Sequence, residues 1–236
     1  FKYEDTNIEA LKGISFEVQK GQTLAIIGNT GSGKSTILEL IGRLYDVQKG
    51  DIKVDGKPIQ SLNLNSLRSS IGFVPQDPFL FSDSLRNNIK FGKNKASDDE
   101  VKRASKMAVV HDNIINFKNG YDTVLGERGI TLSGGQKQRV SIARAFIKNP
   151  QILLLDDCLS AVDTETEEQI LNNIELVTKG KTTIIVSHRI SSAKNADMIV
   201  VLNNGIITQQ GAHQELINVE GYYKELYQNQ LQEISS

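Results

Sequence analysis

This chain has almost no excess charge, a single cysteine and no long apolar run, and each shortage closes off a class of function. With 27 Lys and Arg against 28 Asp and Glu, the formal net charge of −1 gives no electrostatic pull toward nucleic acid or an acidic membrane surface. One cysteine, Cys158, excludes an intramolecular disulfide and suits a reducing compartment, although a small buried residue is the plainer reading. No apolar run approaches the ~18 residues of a membrane span, and the opening FKYEDTN is not a signal peptide. What is present is 236 residues with 39% apolar content, enough to bury a core as one large domain or two smaller lobes. The chain opens in what reads as a strand already under way, without an initiator Met, the pattern of a domain drawn from a longer polypeptide.

The most informative stretch is GNTGSGKS, residues 28–35, which fits GxxxxGK[ST]. Gly28, Gly31 and Gly33 lack Cβ atoms, so the backbone can bring successive amide N–H groups close to phosphate oxygens. Lys34 supplies a mobile point charge for the β- and γ-phosphates, and the Ser35 hydroxyl suits the accompanying Mg²⁺. An apolar run, Leu24 to Ile27, precedes the loop as a buried strand, and Ile37, Leu40, Ile41 and Leu44 follow at helical spacing. Phosphates would then sit on a helix N-terminus, where the dipole favours anions.

Around this motif the pattern changes along the chain. Ile14, Phe16 and Val18 alternate with polar residues, as do Ile52 and Val54 before the turn dipeptide Asp55-Gly56, and both stretches read as antiparallel strands. Apolar strands at Leu24 to Ile27, Ile152 to Leu155, Thr183 to Val186 and Met198 to Leu202 alternate with helical patterns, the sign of a mostly parallel sheet. Asn203-Asn204-Gly205 makes a hairpin, and the tail from His213 reads as two short helices around Gly221. Between Pro78 and about Asn149 helical patterns dominate, which predicts a helical lobe inserted between strands of the sheet.

Two further stretches carry chemistry. ILLLDD, residues 152–157, is an apolar strand ending in two carboxylates, and ligands of open α/β sheets gather at the carboxyl ends of strands. Asp156 is then a candidate Mg²⁺ ligand, and Asp157, the next residue, a candidate to orient or deprotonate an attacking water. In LSGGQKQR, residues 132–139, Ser133 and Gln136 form an S-x-x-Q capping box, and Val140, Ala143 and Ile147 mark an apolar helical face. Ser133, Gly134 and Gly135 thus open a second helix N-terminus chemically suited to phosphate.

Taken in order, GNTGSGKS, Gln76, LSGGQ, ILLLDD, Ser160 to Asp163 and His188 resemble the motif set of the nucleotide-binding domain of ATP-binding cassette (ABC) transporters, along the whole chain. QDPFLFSDSLRNNI, residues 76–89, and GERG, residues 126–129, resemble the exporter branch of that family. The resemblance implies an α/β fold with a RecA-like P-loop core and mostly parallel sheet, an N-terminal antiparallel β layer and an inserted α-helical lobe. Residues 1–77 and 148–236 would form the ATP-binding core and residues 78–147 the signature lobe.

ATP and Mg²⁺ are the implied ligands. Gly28, Asn29, Thr30, Gly31, Ser32, Gly33, Lys34, Ser35 and Thr36 would hold the phosphates, and Ser35, Gln76 and Asp156 the metal. Tyr3 matches the aromatic that stacks on adenine, or is an ordinary strand tyrosine. Lys34, Gln76, Asp157 and His188 match the residues that act on the γ-phosphate and the attacking water. Ser133, Gly134, Gly135 and Gln136 match the signature that closes over the phosphate loop of a second subunit. Asp163 matches the aspartate that reaches that subunit, or caps the helix carrying Ile170, Ile174 and Val177.

The implied partners are a second nucleotide-binding domain, as homodimer or heterodimer, and transmembrane domains received by the 77–91 stretch. That would place the chain on the cytoplasmic face of a membrane, with no nucleic acid partner. ATPases of this family that act on ribosomes or DNA would be expected to show a second cassette, a long coiled-coil insertion or a basic surface, and the sequence has none of these. One departure from the family pattern stands out: competent members usually carry Glu where this chain has Asp157. Loss of a methylene draws the carboxylate back by roughly 1 to 1.5 Å, which matters when a base must lie within about 3 Å of its water. The expectation is a slow or degenerate site that still binds ATP; the competing view is that backbone adjustment lets Asp157 serve, since every other motif, LSGGQ and His188 included, stands intact.

Overall fold

The computed structural model describes residues 1–126 and 131–235, the side chains of 233–235 excepted, so residues 127–129 of the GERG stretch lie outside the described residues. In chain order the first elements are β1 (Thr23–Gly28), α1 (Lys34–Ile41), β2 (Lys53–Val54), β3 (Lys57–Pro58), α2 (Leu64–Ser70) and β4 (Ile71–Val74). Helices α3 (Leu85–Lys90), α4 (Asp98–Met107), α5 (His111–Ile115) and α6 (Gly134–Phe146) follow, then β5 (Ile152–Asp156) and α7 (Thr164–Val177). The chain finishes with β6 (Thr182–Ser187), β7 (Met198–Asn203), β8 (Ile206–Gly211), α8 (His213–Leu216) and α9 (Tyr222–Ser235). These elements gather into two compact units, Phe1–Ile71 with the chain from Gly180 onward, and Gly72–Lys179.

In the first unit β1 lies between two parallel neighbours. It pairs with β6 from Thr23↔Thr183 to Ile27↔Ser187, and with β7 from Leu24↔Met198 to Gly28↔Leu202. Antiparallel β8 lies beyond β7, joined to it by a turn in which Asn204 and Gly205 both take positive φ, 49° and 78°. A strand paired on both sides and covered on both faces shows no polar alternation, so Leu24 to Ile27 are a continuous apolar run, each 0% exposed. Ala25 and Ile27, with Ile199 and Val201 of β7, pack on Ile190, Ala193, Leu216 and Tyr223. Burying each large aliphatic side chain contributes roughly 1.5–3 kcal/mol, so this layer anchors the C-terminal helices.

Three details of this unit differ from the sequence pattern. Helix α1 stops at Ile41, because Gly42 ends it and Arg43 turns left-handed at φ 53°, and Leu44 is left 54% exposed outside the helix. Ile14, Phe16 and Val18 alternate half-buried with exposed neighbours, yet they form no strand. Alternation fixes which way side chains point, whereas a strand also needs a hydrogen-bonded partner. The antiparallel layer is correspondingly small: the β2–β3 hairpin turning through Asp55 and Gly56 (φ 50° and 74°), and a Lys2↔Glu9 bridge. Lastly, α8 is short at 4 residues but α9 runs for 14.

In the second unit β4 is the neighbour of β5. The sequence pattern does not announce β4, since IGFV is short and broken by Gly72. That glycine has a packing reason: a Cβ on it would lie 2.7 Å from Pro150 Cγ and 3.3 Å from Leu153. The helical part is built around α6, whose Val140, Ile142, Ala143 and Phe146 are buried and which packs against α3 and α4. Ser97 and Glu100 form a capping box on α4, as Ser133 and Gln136 do on α6. Asn88, 1% exposed on α3, accepts from Phe81 N and donates to the Phe81, Asp83 and Ser84 carbonyls, closing the 81–84 loop onto the helix.

Candidate functional site

In the first unit, residues 28–33 form the loop that joins β1 to α1. Gly28 ends β1 where a Cβ would meet Leu202 O at 2.1 Å, so the strand approaches β7 at a distance only glycine allows. Gly31 takes φ 78° and Gly33 φ 102°, left-handed conformations that suit residues without a Cβ. A Cβ on Gly33 would also lie 2.6 Å from Ala10 O. Asn29 O accepts from Ser32 N at 3.2 Å and Ser32 O from Gly205 N at 3.0 Å, which turns the loop and ties it to the β7–β8 hairpin. Lys34 folds back over the loop, its Nζ donating to Gly28 O at 2.7 Å and Asn29 O at 2.8 Å. Thr30 lies exposed in the loop.

The residue that caps α1 is Gly33, which has no side chain with which to satisfy the first-turn amides. Helix starts usually solve this with Ser, Thr, Asp or Asn; a glycine cap leaves the position open to an outside acceptor. Ser32 is 3% exposed and its Oγ is buried with no hydrogen-bond partner. An orphaned buried donor inside a glycine-shaped cradle fits an anion with several acceptor oxygens. Ser35 and Thr36 stand in the first turn of α1.

Tyr3 reaches this turn from the N-terminal segment. Its hydroxyl is 2.9 Å from Thr36 Oγ1 and donates to Glu39 Oε2 at 2.8 Å. Burial, with the Glu39 carboxylate adding to it, pushes the phenol up to about 12. Its ring stands edge-on to Phe1 and to Tyr45, at 5.0 Å and 5.3 Å. His188 directly follows β6 and is exposed. Its carbonyl accepts from Gln230 Nε2 at 2.9 Å.

In the second unit, Asp156 closes β5 and is 6% exposed, and Asp157 follows it with a left-handed backbone, φ 43°. Asp is one of the few side chains at ease there. Gln76 lies in the stretch after β4, and its Nε2 is 3.5 Å from Asp157 Oδ2. Ser133 and Gln136 open α6, and Gly135 sits so close to the following turn that a Cβ would meet Ala161 O at 2.7 Å. Gly134 is also against Ala161, at an ordinary contact distance of 3.5 Å. Asp163 caps α7 by accepting from Thr166 N at 2.9 Å. That backbone bond holds its carboxyl below the usual range.

One residue here carried no role in the sequence. Gln138, 5% exposed within α6, lies 3.5 Å from Gln76 O and 3.4 Å from Ser160 Oγ, and accepts from Ala161 N at 3.2 Å. It links the Gln76 stretch, the turn after Asp157 and the helix that LSGGQ opens. Its one sequence signal is a polar residue among the apolar positions of α6. Cys158 is buried, and burial pushes its thiol well up, so it offers no nucleophile.

Comparison with known proteins supplies independent findings. A family model described as ABC transporter matches residues 11–160. ATP-binding cassette sub-family B member 6 of Xenopus tropicalis is 51% identical over 230 residues, which cover 98% of this chain and 27% of that protein. A putative multidrug export ATP-binding/permease protein of Staphylococcus aureus is 49% identical over 227 residues, covering 96% of this chain and 39% of that protein. Among solved structures, a bacterial Atm1-family ABC exporter with ATP bound aligns with a TM-score of 0.92 at 45% identity, over 97% of this chain and 40% of that one. The chain thus spans well under half the length of each of these relatives.

Proposed function

From its membership of the ABC transporter family, to which this chain belongs, we propose that it is the ATP-binding and ATP-hydrolysing motor domain of an exporter. The observation that carries this reading is the 28–33 loop with the first turn of α1: two left-handed glycines, a glycine-capped helix start, the orphaned Ser32 Oγ and Lys34 folded over the loop. Together they present backbone donors and one cation to a polyphosphate. In this reading Tyr3 stacks on adenine, and Gly28, Asn29, Thr30, Gly31, Ser32, Gly33, Lys34, Ser35 and Thr36 surround the phosphates. Residues 1–77 with 148–236 act as the ATP-binding core and 78–147 as the signature lobe.

Among the described residues no group of three or more His, Cys, Asp or Glu is placed to hold a metal, so Mg²⁺ would rely on few protein ligands and on phosphate oxygens. Ser35, Asp156 and Gln76 are the residues that would hold it; when bound, it neutralises charge on the β- and γ-phosphates. Lys34 binds and orients the γ-phosphate, Asp157 with Gln76 orients the water and accepts its proton, and His188 donates to the γ-phosphate. Ser133, Gly134, Gly135 and Gln136 of one copy, with Asp163, close over the loop of a second nucleotide-binding domain, head to tail. ATP then holds the two faces together and hydrolysis releases them, which moves attached transmembrane domains and drives solute across the membrane from its cytoplasmic side.

Asp157 favours a second reading for the rate. With the shorter carboxylate the domain would bind ATP and gate a competent partner subunit while turning over little itself. Phosphate release by the full-length protein, lost in Lys34→Ala, supports the motor. Tight ATP binding without phosphate release supports the gating module, and absence of ATP binding overturns both.

A further inference from the structure

Helix α9 carries an apolar stripe that breaks at its fourth position. Tyr223, Leu226 and Tyr227 fall on one helical face, and that face packs on Ile190, Ala193 and Leu216. The next residue on the stripe, seven after Tyr223, is Gln230, where apolar spacing calls for another core residue. The structure shows what the amide does there. Gln230 Oε1 accepts from Ile190 N at 2.8 Å, and Gln230 Nε2 donates to His188 O at 2.9 Å.

This is a two-point clasp on alternate residues of the backbone that leaves β6, the pattern a neighbouring strand would make. Residues 188–190 lie past the end of β6 and belong to no strand themselves. Ile190 is only 4% exposed, so its N–H cannot turn to water and the amide satisfies a donor that would otherwise be orphaned. One residue inside the clasp, Ser187 Oγ accepts from Arg189 N at 3.0 Å and sharpens the turn. The backbone on which His188 is mounted is therefore held from the C-terminal helix, about 40 residues further along the chain, as well as from β6.

We propose that Gln230 is a positioning residue for His188: its amide fixes the backbone of residues 188–190 and so couples the C-terminal helix to the γ-phosphate site. The inference rests on the ATPase reading above. Geometry matters here because misplacing a group by ~1 Å can cost ~10²-fold in rate. Gln230→Met keeps the length and apolar contacts of the side chain and removes both hydrogen bonds. Gln230→Glu keeps the acceptor for Ile190 N and removes the donor to His188 O.

The test is made on the full-length protein containing this chain. Gln230→Met is expected to lower kcat for ATP by ~10-fold with KM unchanged. Gln230→Glu falls between it and the parent, and neither variant loses further activity when His188→Ala is already present. Hydrogen exchange at the 188–191 amides should quicken by roughly 2- to 10-fold in Gln230→Met, with exchange in β1 unchanged. Unchanged exchange at 188–191, an unchanged kcat, or a rate loss that adds in full to that of His188→Ala each overturns the proposal while leaving the ATPase reading intact. A parent protein that binds no ATP overturns that reading instead, and this role of Gln230 with it.

Discussion

The amide nitrogen of Gln76 stands 3.5 Å from the carboxylate of Asp157, at the long end of a hydrogen bond. The same carboxylate is borne on a left-handed backbone, φ 43°, which Asp tolerates better than Glu. Reach and backbone comfort therefore pull in opposite directions at residue 157. Asp157→Glu should raise the single-turnover rate of ATP cleavage by ~10-fold or more and lower stability by about 1 kcal/mol. Asp157→Asn should stop cleavage and leave ATP binding in place. Rapid-quench measurements decide, and an unchanged rate in Asp157→Glu would remove the slow-site reading.

Gly28 and Gly31 sit in one loop for different reasons, and alanine separates them. At Gly28 an added Cβ would meet Leu202 O at 2.1 Å, whereas at Gly31 it would meet open space and the only cost is φ 78°. Gly28→Ala should destabilise by about 3 kcal/mol or more, because neither strand can yield without breaking its pairing. Gly31→Ala should cost about 1 kcal/mol. Urea unfolding of the two variants checks the order, and a larger loss at Gly31 would contradict the close approach of β1 to β7.

Cys158 is buried and its thiol is pushed up by desolvation, so little thiolate exists and none of it is accessible. Iodoacetamide at about pH 8 should leave the native protein unlabelled over hours and modify it within minutes once unfolded in about 6 M guanidinium. Labelling of the native protein at the denatured rate would contradict the burial.

The Lys93 ammonium bonded to Glu100, with the Ser97 amide of the α4 capping box adding to it, draws the Glu100 carboxyl down to about 2. Because the folded value is depressed, the group stabilises the native state above the unfolded value of 4.5, and that contribution is lost as pH falls toward about 2. Glu100→Gln should flatten the stability profile in that window and change little of its shape at neutral pH. The carboxyl carbon shift of Glu100 followed by NMR gives the midpoint directly; a midpoint near the ordinary glutamate value would contradict the Lys93 pair together with the cap.

Much of the fold was legible because its signals are local. Leu24 to Ile27, Ile152 to Leu155, Thr183 to Val186 and Met198 to Leu202 fall inside β1, β5, β6 and β7. The Ser133 and Gln136 capping box starts α6 as its spacing predicts. Two of the misreadings share a cause, a pairing decided by distant residues, and the third is a local helix stop. Ile14 to Val18 has the alternation of a strand and lacks a pairing partner, β4 pairs without announcing itself, and Leu44 keeps helical spacing beyond a helix already ended at Gly42.

By itself the sequence determined that a strand, a glycine loop, a lysine and a helix come in that order, and that residues of the phosphate-handling kinds follow in the order of one family. These are properties of neighbours along the chain, set by backbone freedom and periodicity. Tertiary structure alone decided that Gly28 must be glycine because of Leu202, that Gly135 must be so because of Ala161, and that Gln138 and Gln230 spend their amides on backbone groups of other segments. A side-chain amide's partner is chosen by whichever unsatisfied group the fold brings within about 3 Å, and no spacing along the chain records that choice.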